Sequence, residues 1–240
     1  MPQAVLTHLS NYTLPAVVTA LVSYLLGSIS FSIIFTKLFD KKDIRSMGSG
    51  NAGATNVLRS VGKLPAILTF IGDFGKGVLA IVIGKMIFMS LSVYHTVPFT
   101  IEQYGAYIAG FSSILGHIYP LYFKFKGGKG VLTTAAMMLL IDYRVFLILA
   151  VAFFLVFAIS KIVSLSSIVA AAGYPIATFF ITYFLDYKPN LGVPNSDFTL
   201  NYVIIATLVT ALIGGLVVIK HKENIKRILA GTEKKIRSKD

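Results

Sequence analysis

Long uninterrupted apolar runs limit what this 240-residue chain can fold into. An α-helix needs about 20 apolar residues to cross a hydrocarbon core of about 30 Å. Runs that meet or approach this length are 13–35, 64–91, Tyr143–Ser160 and 202–219. Charged residues make up only 13% of the chain, whereas they make up about a quarter of a soluble domain. Because a backbone inside lipid must satisfy its own hydrogen bonds, these runs predict an all-α integral membrane protein.

Lysine and arginine indicate which ends of the spans face the cytoplasm. Basic residues crowd the segments 37–63, 124–129 and 220–239, whereas 92–100 contains none. Since cytoplasmic loops are enriched in Lys and Arg, the alternation requires seven transmembrane helices, an external N-terminus and a cytoplasmic C-terminus. The segment 186–199 is predicted to be an external connector without chemistry. Residues 1–240 are predicted to form a single membrane-embedded domain.

A small, polar stretch follows the first apolar run, with the sequence Gly-Ser-Gly-Asn-Ala-Gly-Ala-Thr-Asn-Val-Leu-Arg at 48–59. Its glycines allow positive φ and close approach of the backbone to a ligand. Ser49, Asn51 and Asn56 offer neutral hydrogen-bonding groups, and Arg59 offers a planar fork that suits phosphate. The glycine spacing also matches a dinucleotide fingerprint, but that fingerprint requires a preceding β-strand, and here a membrane span precedes it.

A second glycine-rich stretch, Lys-Gly-Gly-Lys-Gly at 126–130, precedes a predicted helix at 131–141. Glycine N–H groups and a helix N-terminus attract anions, and Lys129 adds a positive charge. The stretch departs from a P-loop, because Lys129 is not followed by Ser or Thr. The helix is too short to cross a bilayer straight, so it is predicted to be partial or tilted, with the loop recessed in a cavity.

Other polar side chains each allow a structural and a functional interpretation. Asp73 and Lys76 share a helix face and form either a buried ion pair that orients the neighbouring loop or a ligand contact. His117 is either a satisfied structural residue or a base. The hydroxyl of Ser164 either caps the sixth span or binds a ligand phosphate.

The basic tail adds His221 and Asn224, which are three residues apart on one predicted helix face. Binding of an amphipathic tail to anionic lipid explains the lysines, but a His–Asn pair adds little to lipid binding and favours a functional role. The polar segments all fall on the predicted cytoplasmic side. They therefore predict a site for a small phosphorylated ligand and an acyl-bearing one.

Two other function classes compete with an enzyme. A transporter of organic phosphate is the first, although transporters usually bind their substrates near the bilayer midplane. A structural lipid-binding protein is the second, although it would not need Lys129 among glycines.

The motifs together resemble the bacterial acyl-phosphate:glycerol-3-phosphate acyltransferase family, the PlsY type. The resemblance rests on the stretch 48–59, on Gly-His-Ile-Tyr-Pro from 116 and Phe-Lys-Gly-Gly-Lys-Gly-Val from 125, on Val-Ser-Leu-Ser-Ser-Ile from 163 and on His-Lys-Glu-Asn-Ile-Lys-Arg from 221. It implies a seven-span inner-membrane enzyme that transfers a fatty acyl group from acyl phosphate to the sn-1 hydroxyl of glycerol 3-phosphate. The products would be lysophosphatidic acid and phosphate, in the first step of phospholipid biosynthesis.

The resemblance also implies the residues of the site. The catalytic residues would be Ser49, Arg59, Lys129, Ser164, His221 and Asn224. The substrate-binding residues would be Gly48, Gly50, Asn51, Asn56, Gly127, Gly128 and Gly130. The general base is either His221 or the substrate's own phosphate.

The expected partners are glycerol 3-phosphate, acyl phosphate and membrane lipids. No cofactor, metal or nucleic acid is expected. The protein is expected to be a multi-pass monomer of the bacterial cytoplasmic membrane, with its active site facing the cytoplasm.

Overall fold

Helices account for all the regular secondary structure in the residues that the computed structural model describes, which are 3–90, 101–194, 196 and 198–236. The predicted all-α class is confirmed. Within those residues, the helical stretches long and apolar enough to cross a membrane are Tyr12–Asp40, Lys63–Met89, Tyr143–Ser160, Val163–Asn190 and Leu200–Lys220. The count of seven transmembrane helices and the orientation of the termini stay predictions. The predicted external segment 92–100 and the tail residues 237–239 lie outside the described residues.

The chain forms two compact units, Met1–Ile141 and Asp142–Asp240. The α-helices of the first unit are α1 (Gln3–Gly27), α2 (Phe31–Asp40), α3 (Ala54–Ser60), α4 (Lys63–Met89), α5 (Ile101–Ile118) and α6 (Val131–Ile141). Those of the second unit are α7 (Tyr143–Ser160), α8 (Val163–Phe180), α9 (Leu200–Lys220) and α10 (Lys222–Leu229). A single domain over residues 1–240 stays a prediction.

The predicted first span, 13–35, is wrong as one continuous helix, because residues 28–30 separate α1 from α2. The Ser28 hydroxyl donates to the carbonyl of Tyr24 at 2.8 Å. Side-chain bonds of this kind offer the backbone an alternative to the helical ladder and often bend a helix. The apolar run therefore shows where the membrane segment lies but not where its helix breaks.

Glycine brings the helices of the first unit together at backbone distance. A Cβ at Gly27 of α1 would overlap the backbone of Ser113 on α5. A Cβ on Gly84 of α4 or on Gly105 of α5 would overlap the backbone of the other helix. Larger side chains at these positions would push the helices apart, so the glycines fix how closely α1, α4 and α5 pack.

Helical structure in the second unit continues beyond the predicted end of the sixth span. α8 runs on as a π-helical stretch, Ile181–Tyr187, and a 3-10 turn, Lys188–Asn190. The prediction of an external connector from 186 is therefore wrong for residues 186–190. The buried carboxylate of Asp186 accepts two hydrogen bonds of 2.8 Å from Arg144, at the start of α7. Bidentate pairing of this kind is strong and specific in geometry, so it holds the end of the helix in place.

Candidate active site

The first glycine-rich loop, residues 48–59, is organised around the side chain of Asn56. Asn56 is 3% exposed, and its Oδ1 accepts the backbone N–H of Ser49 at 2.9 Å. Its Nδ2 lies 3.2, 3.0 and 3.0 Å from the carbonyl oxygens of Ile44, Met47 and Asn51. The amide thus gathers the loop around itself. The binding of substrate by Asn56 stays a prediction, and what the structure shows is that Asn56 shapes the loop.

Positive φ at Gly48 and Gly50, 56° and 72°, directs the chain around that amide. Ser49 lies between them and is exposed, and Asn51 is half-buried. Arg59 is exposed in the last turn of α3. The loop therefore displays a hydroxyl and a guanidinium on a backbone that a buried amide holds in shape.

The second glycine-rich loop is anchored on the end of α5. The backbone N–H of Gly127 donates to the carbonyl of Ile118 at 3.2 Å, and that of Gly128 donates to the carbonyl of His117 at 3.1 Å. Gly130 has a φ of 82°, and α6 begins at the next residue. The predicted helix start at 131 is confirmed, and Lys129 is half-buried in the loop immediately before it. A lysine beside a helix N-terminus favours an anion, whereas the N–H groups of Gly127 and Gly128 are used in holding the loop on α5.

Arg45 joins the segment immediately before the first loop to the start of the second loop. Its Nη1 donates to the carbonyls of Phe123 and Lys126 at 2.8 and 3.2 Å. Its Nη2 lies 2.7 Å from Oδ2 of Asp43, and this hydrogen bond from Arg45 holds the pKa of Asp43 below its ordinary value. The sequence presents Arg45 only as one more basic residue of a cytoplasmic loop. Its bridging role depends on a contact across 78 positions of sequence.

A buried cluster of charged and polar side chains lies between α4 and α5. The predicted pairing of Asp73 with Lys76 is confirmed, because Lys76 Nζ lies 2.8 Å from Asp73 Oδ1. The same ammonium lies 2.7 Å from the carbonyl oxygen of Ile29, in the break between α1 and α2, and 3.0 Å from Nδ1 of His117. Asp73, Lys76 and His117 are 1%, 5% and 6% exposed. The pair is therefore a buried internal one, and its ammonium reaches His117.

In the second unit, a carboxylate that sequence reasoning missed joins two of the predicted residues. Oε1 of Glu233 accepts from the Ser164 hydroxyl at 2.7 Å and from Asn224 Nδ2 at 2.6 Å. Its Oε2 accepts from Arg227 Nε at 2.6 Å. The interpretation of Ser164 as a helix cap is wrong, because α8 is preceded by Ile162 and no side chain caps its N-terminus.

The fold of the tail brings Glu233 to this place. After α10, the N–H of Thr232 donates to the carbonyl of Arg227, and the N–H of Ile236 donates to the carbonyl of Lys161 at 2.9 Å. Burial acts to raise the pKa of Glu233, but the hydrogen bonds from Ser164, Arg227 and Asn224 outweigh it and hold the pKa below its ordinary value. No signal in the sequence singles out Glu233, because Glu223 is a second carboxylate in the same basic tail.

His221 lies at the junction of α9 and α10 and is 2% exposed. It directly precedes α10, its carbonyl accepts the N–H of Ile225 at 2.9 Å, and its side chain and that of Asn224 are both buried. That the two residues share a helix face stays a prediction. Nδ1 of His221 lies 2.7 Å from the carbonyl oxygen of Val217. A carbonyl can only accept, so Nδ1 carries a proton, and in the neutral ring the lone pair lies on Nε2. In that state the ring can act as a general base through Nε2.

The structure brings part of the predicted site together. In the first unit, the loop of Ser49 and Arg59 meets the loop of Lys129, because a Cβ at Gly128 would overlap the carbonyl oxygen of Ala52. In the second unit, Ser164 and Asn224 meet on Glu233. Convergence of both sets on one cavity stays a prediction. Within the described residues, no group of three His, Asp or Glu side chains could hold a metal ion.

Comparison with known proteins gives a consistent result. A sequence model described as glycerol-3-phosphate acyltransferase matches residues 17–231. The glycerol-3-phosphate acyltransferase of Macrococcus caseolyticus (strain JCSC5402) is 39% identical over 219 residues, which cover 91% of this chain and 96% of that protein. The protein of the same name from Pseudomonas aeruginosa (strain LESB58) is 36% identical over 215 residues, which cover 90% and 96%.

A solved structure is similar to this chain in fold as well as in sequence. The crystal structure of PlsY (YgiH), an integral membrane glycerol 3-phosphate acyltransferase, in its glycerol 3-phosphate form is 32% identical to this chain. It aligns with a TM-score of 0.70 over 92% of this chain and 96% of that one. The lysophosphatidic acid form of the same protein aligns with a TM-score of 0.67.

Proposed function

The chain belongs to the glycerol-3-phosphate acyltransferase family, and we propose that it transfers a fatty acyl group from acyl phosphate to the sn-1 hydroxyl of glycerol 3-phosphate. The products are lysophosphatidic acid (1-acylglycerol 3-phosphate) and phosphate. The reaction is then the first step of phospholipid biosynthesis. The site faces the cytoplasm from the bacterial inner membrane, and the protein acts as a multi-pass monomer without a cofactor.

One observation carries this proposal: the joined pair of glycine loops in the first unit. Lys129 stands before the N-terminus of α6, and Arg59 and the exposed Ser49 belong to the loop that packs against it. Both substrates carry phosphate, and the donor also releases one. Cations that lie close to a helix N-terminus attract phosphate, because both the side-chain charges and the helix dipole favour an anion there.

Acyl phosphate is already an activated donor, so no covalent acyl-enzyme is needed. The oxygen of the sn-1 hydroxyl attacks the acyl carbonyl, a new C–O bond forms, and the bond between the acyl carbon and the phosphate oxygen breaks. Lys129, Arg59 and the N-terminus of α6 stabilise the leaving phosphate and the developing oxyanion. One such donor is typically worth about 10²–10³ in rate. Holding both substrates in place lowers the entropic barrier further.

The proton of the attacking hydroxyl passes to a base. His221 is one candidate, because its Nδ1–H is committed to the carbonyl of Val217 and its lone pair is on Nε2. The phosphate of the substrate is the other. His221→Ala separates them: a large fall in kcat identifies His221 as the base, whereas retained kcat with a raised KM assigns it to positioning only.

Glu233 gives the second unit its part in the reaction. Its carboxylate accepts hydrogen bonds from the hydroxyl of Ser164 and the amide of Asn224. These bonds hold the two side chains in one orientation, which they would otherwise be free to change. Preorganised polar groups stabilise a transition state because they need no reorientation during the reaction. Ser164 and Asn224 therefore orient substrate, and Glu233 orients them.

The donor is the part of the proposal that needs a direct test. Purified protein is incubated with glycerol 3-phosphate and with either acyl phosphate or acyl-CoA, and the lipid product is identified by mass spectrometry. Lysophosphatidic acid formed only from acyl phosphate is the expected result. Product from acyl-CoA alone would refute the proposed donor. No product from either donor would favour an organic-phosphate transporter, which uptake into vesicles would test.

A further inference from the structure

In the buried cluster of Asp73, Lys76 and His117, the contacts of the Lys76 ammonium define which groups donate and which accept. Lys76 Nζ lies 2.7 Å from the Ile29 carbonyl oxygen, 2.8 Å from Asp73 Oδ1 and 3.0 Å from His117 Nδ1. An ammonium group has three N–H bonds and no lone pair, so in each of these contacts it can only donate. The negative Asp73 compensates the positive Lys76, which is the condition for burying either charge.

This arrangement decides which nitrogen of His117 carries a proton. Lys76 can only donate, so Nδ1 of His117 must accept. The alternative donation from Nδ1 to Asp73 Oδ1 would span 3.7 Å, which is too long for a hydrogen bond. The imidazole is therefore neutral and its proton lies on Nε2. The orientation of a ring whose other nitrogen is bound in this way is fixed by its partner.

Nε2 of His117 lies where the two glycine loops meet. A Cβ at Gly128 would overlap both His117 Nε2 and the carbonyl oxygen of Ala52. The backbone of His117 also holds the second loop, because its carbonyl accepts the N–H of Gly128 at 3.1 Å. Ring and backbone of one residue thus contact the glycine that precedes Lys129, and the ring faces the first loop as well.

We propose that His117 is a positioning residue of the phosphate site, in which Lys76 and Asp73 fix the Nε2–H tautomer so that the ring holds Gly128 against Ala52. Through this contact the buried cluster sets the position of Lys129 and of the N-terminus of α6 relative to the Ser49 loop. The inference rests on the proposed function only for the identity of the ligand, glycerol 3-phosphate.

The tautomer is tested first, by ¹⁵N NMR of protein labelled at its imidazoles. The chain has four histidines, so the variant H8Q/H95Q/H221Q keeps His117 as its one imidazole and leaves the cluster unchanged. We expect a neutral ring at pH 7 with the proton on Nε2, and a mixture of tautomers after Lys76→Met. A proton on Nδ1, or a charged ring, would overturn the proposal. This measurement needs neither activity nor a change to His117.

The positioning role is tested by two substitutions of similar size. The amide nitrogen of glutamine can occupy the place of Nε2, whereas the shorter asparagine cannot reach it. We expect His117→Gln to keep the KM for glycerol 3-phosphate within about threefold, and His117→Asn to raise it about tenfold or more with a smaller change in kcat. Equal KM values in the two variants would contradict the role.

Failure of the proposed function has a separate signature. If the unmodified protein forms no product, the Kd for glycerol 3-phosphate, measured by titration calorimetry, replaces KM in the same comparison. If neither variant folds, or the unmodified protein binds no glycerol 3-phosphate, the tautomer measurement alone decides, because it was made on a chain that keeps His117.

Discussion

In the second unit, single carboxylates accept hydrogen bonds from several side chains at once and hold those side chains in place. Glu233 accepts from a hydroxyl, an amide and a guanidinium within 2.6–2.7 Å. Hydrogen bonds to a charged group contribute about 1.5–3 kcal/mol each, and removal of one partner leaves the others unsatisfied. A change of one atom at this residue should therefore disturb Ser164 and Asn224 together.

Glu233→Gln is expected to lower kcat/KM about tenfold or more, because an amide replaces one acceptor oxygen with a donor that faces Ser164, Asn224 or Arg227. The matched control is Glu223→Gln in the same tail, where the side chain is 58% exposed and its pair with Lys226 spans 3.4 Å. That variant should keep normal activity. Equal activity of the two variants would show that Glu233 has no special role.

The pH dependence of the tail contact follows from the same residue. The pKa of Glu233 lies below its ordinary value of 4.5 in the folded protein. A lowered pKa in the folded state stabilises the fold above the ordinary value, and this stabilisation is lost as the pH falls through the folded pKa. The difference in thermal unfolding between the native chain and Glu233→Gln should therefore be full at pH 7 and shrink progressively as the pH falls below 4.5 through the folded pKa. A difference that stays constant down to pH 3 would contradict the assignment.

At the scale of elements, the site consists of two loops whose backbones touch. At the point of contact there is no room for a side chain larger than that of glycine. Gly128→Ala is expected to raise the KM for glycerol 3-phosphate at least tenfold, because the new Cβ would overlap His117 and Ala52. Gly75→Ala on α4 is the control, since a Cβ there meets nothing within 4 Å. Replacing a helical glycine by alanine stabilises by about 0.5–1 kcal/mol, so this variant should unfold at the same or a higher temperature. Similar KM values in the two variants would refute the contact.

The hydrogen bonds of Arg45 to the carbonyls of Phe123 and Lys126 can be removed separately from the glycine contact. Arg45→Ala should raise the KM for glycerol 3-phosphate more than it lowers kcat, because the carbonyls of Phe123 and Lys126 lose their shared donor. Arg45→Lys should restore little, since a lysine lacks the fork that binds Asp43 and the two carbonyls together. Lys42→Ala is the control, because that side chain is 66% exposed. Full activity in Arg45→Lys would reduce the role of Arg45 to its charge.

Sequence patterns reach some of these elements and miss others for physical reasons. The helix Val131–Ile141 could be predicted because a glycine loop precedes it, and the ion pair of Asp73 and Lys76 because helical spacing is local. Glu233 could not be predicted, because it meets Ser164 across 69 positions of sequence. The break after α1 could not be predicted either, because it lies inside an apolar run and the Ser28 hydroxyl bonds there to the backbone.

For the whole molecule, the orientation in the membrane is the prediction with the widest consequences. The chain contains no cysteine, so single cysteines can report which side each segment faces. Lys235→Cys in the basic tail should react with a membrane-impermeant maleimide only after the cells are opened, and Leu191→Cys should react in intact cells. Both residues are exposed. The reverse pattern would place the tail outside and would contradict a cytoplasmic site.

The central claim is that this membrane protein binds two phosphorylated substrates at the loop of Lys129 and transfers an acyl group from one to the other. The most direct measurement follows phosphate release by the purified protein from acyl phosphate, with and without glycerol 3-phosphate. We predict release that requires both substrates, that disappears in Lys129→Ala and that persists in Lys126→Ala, whose side chain is exposed in the same loop. Release without glycerol 3-phosphate, or equal release by the two variants, would contradict the account.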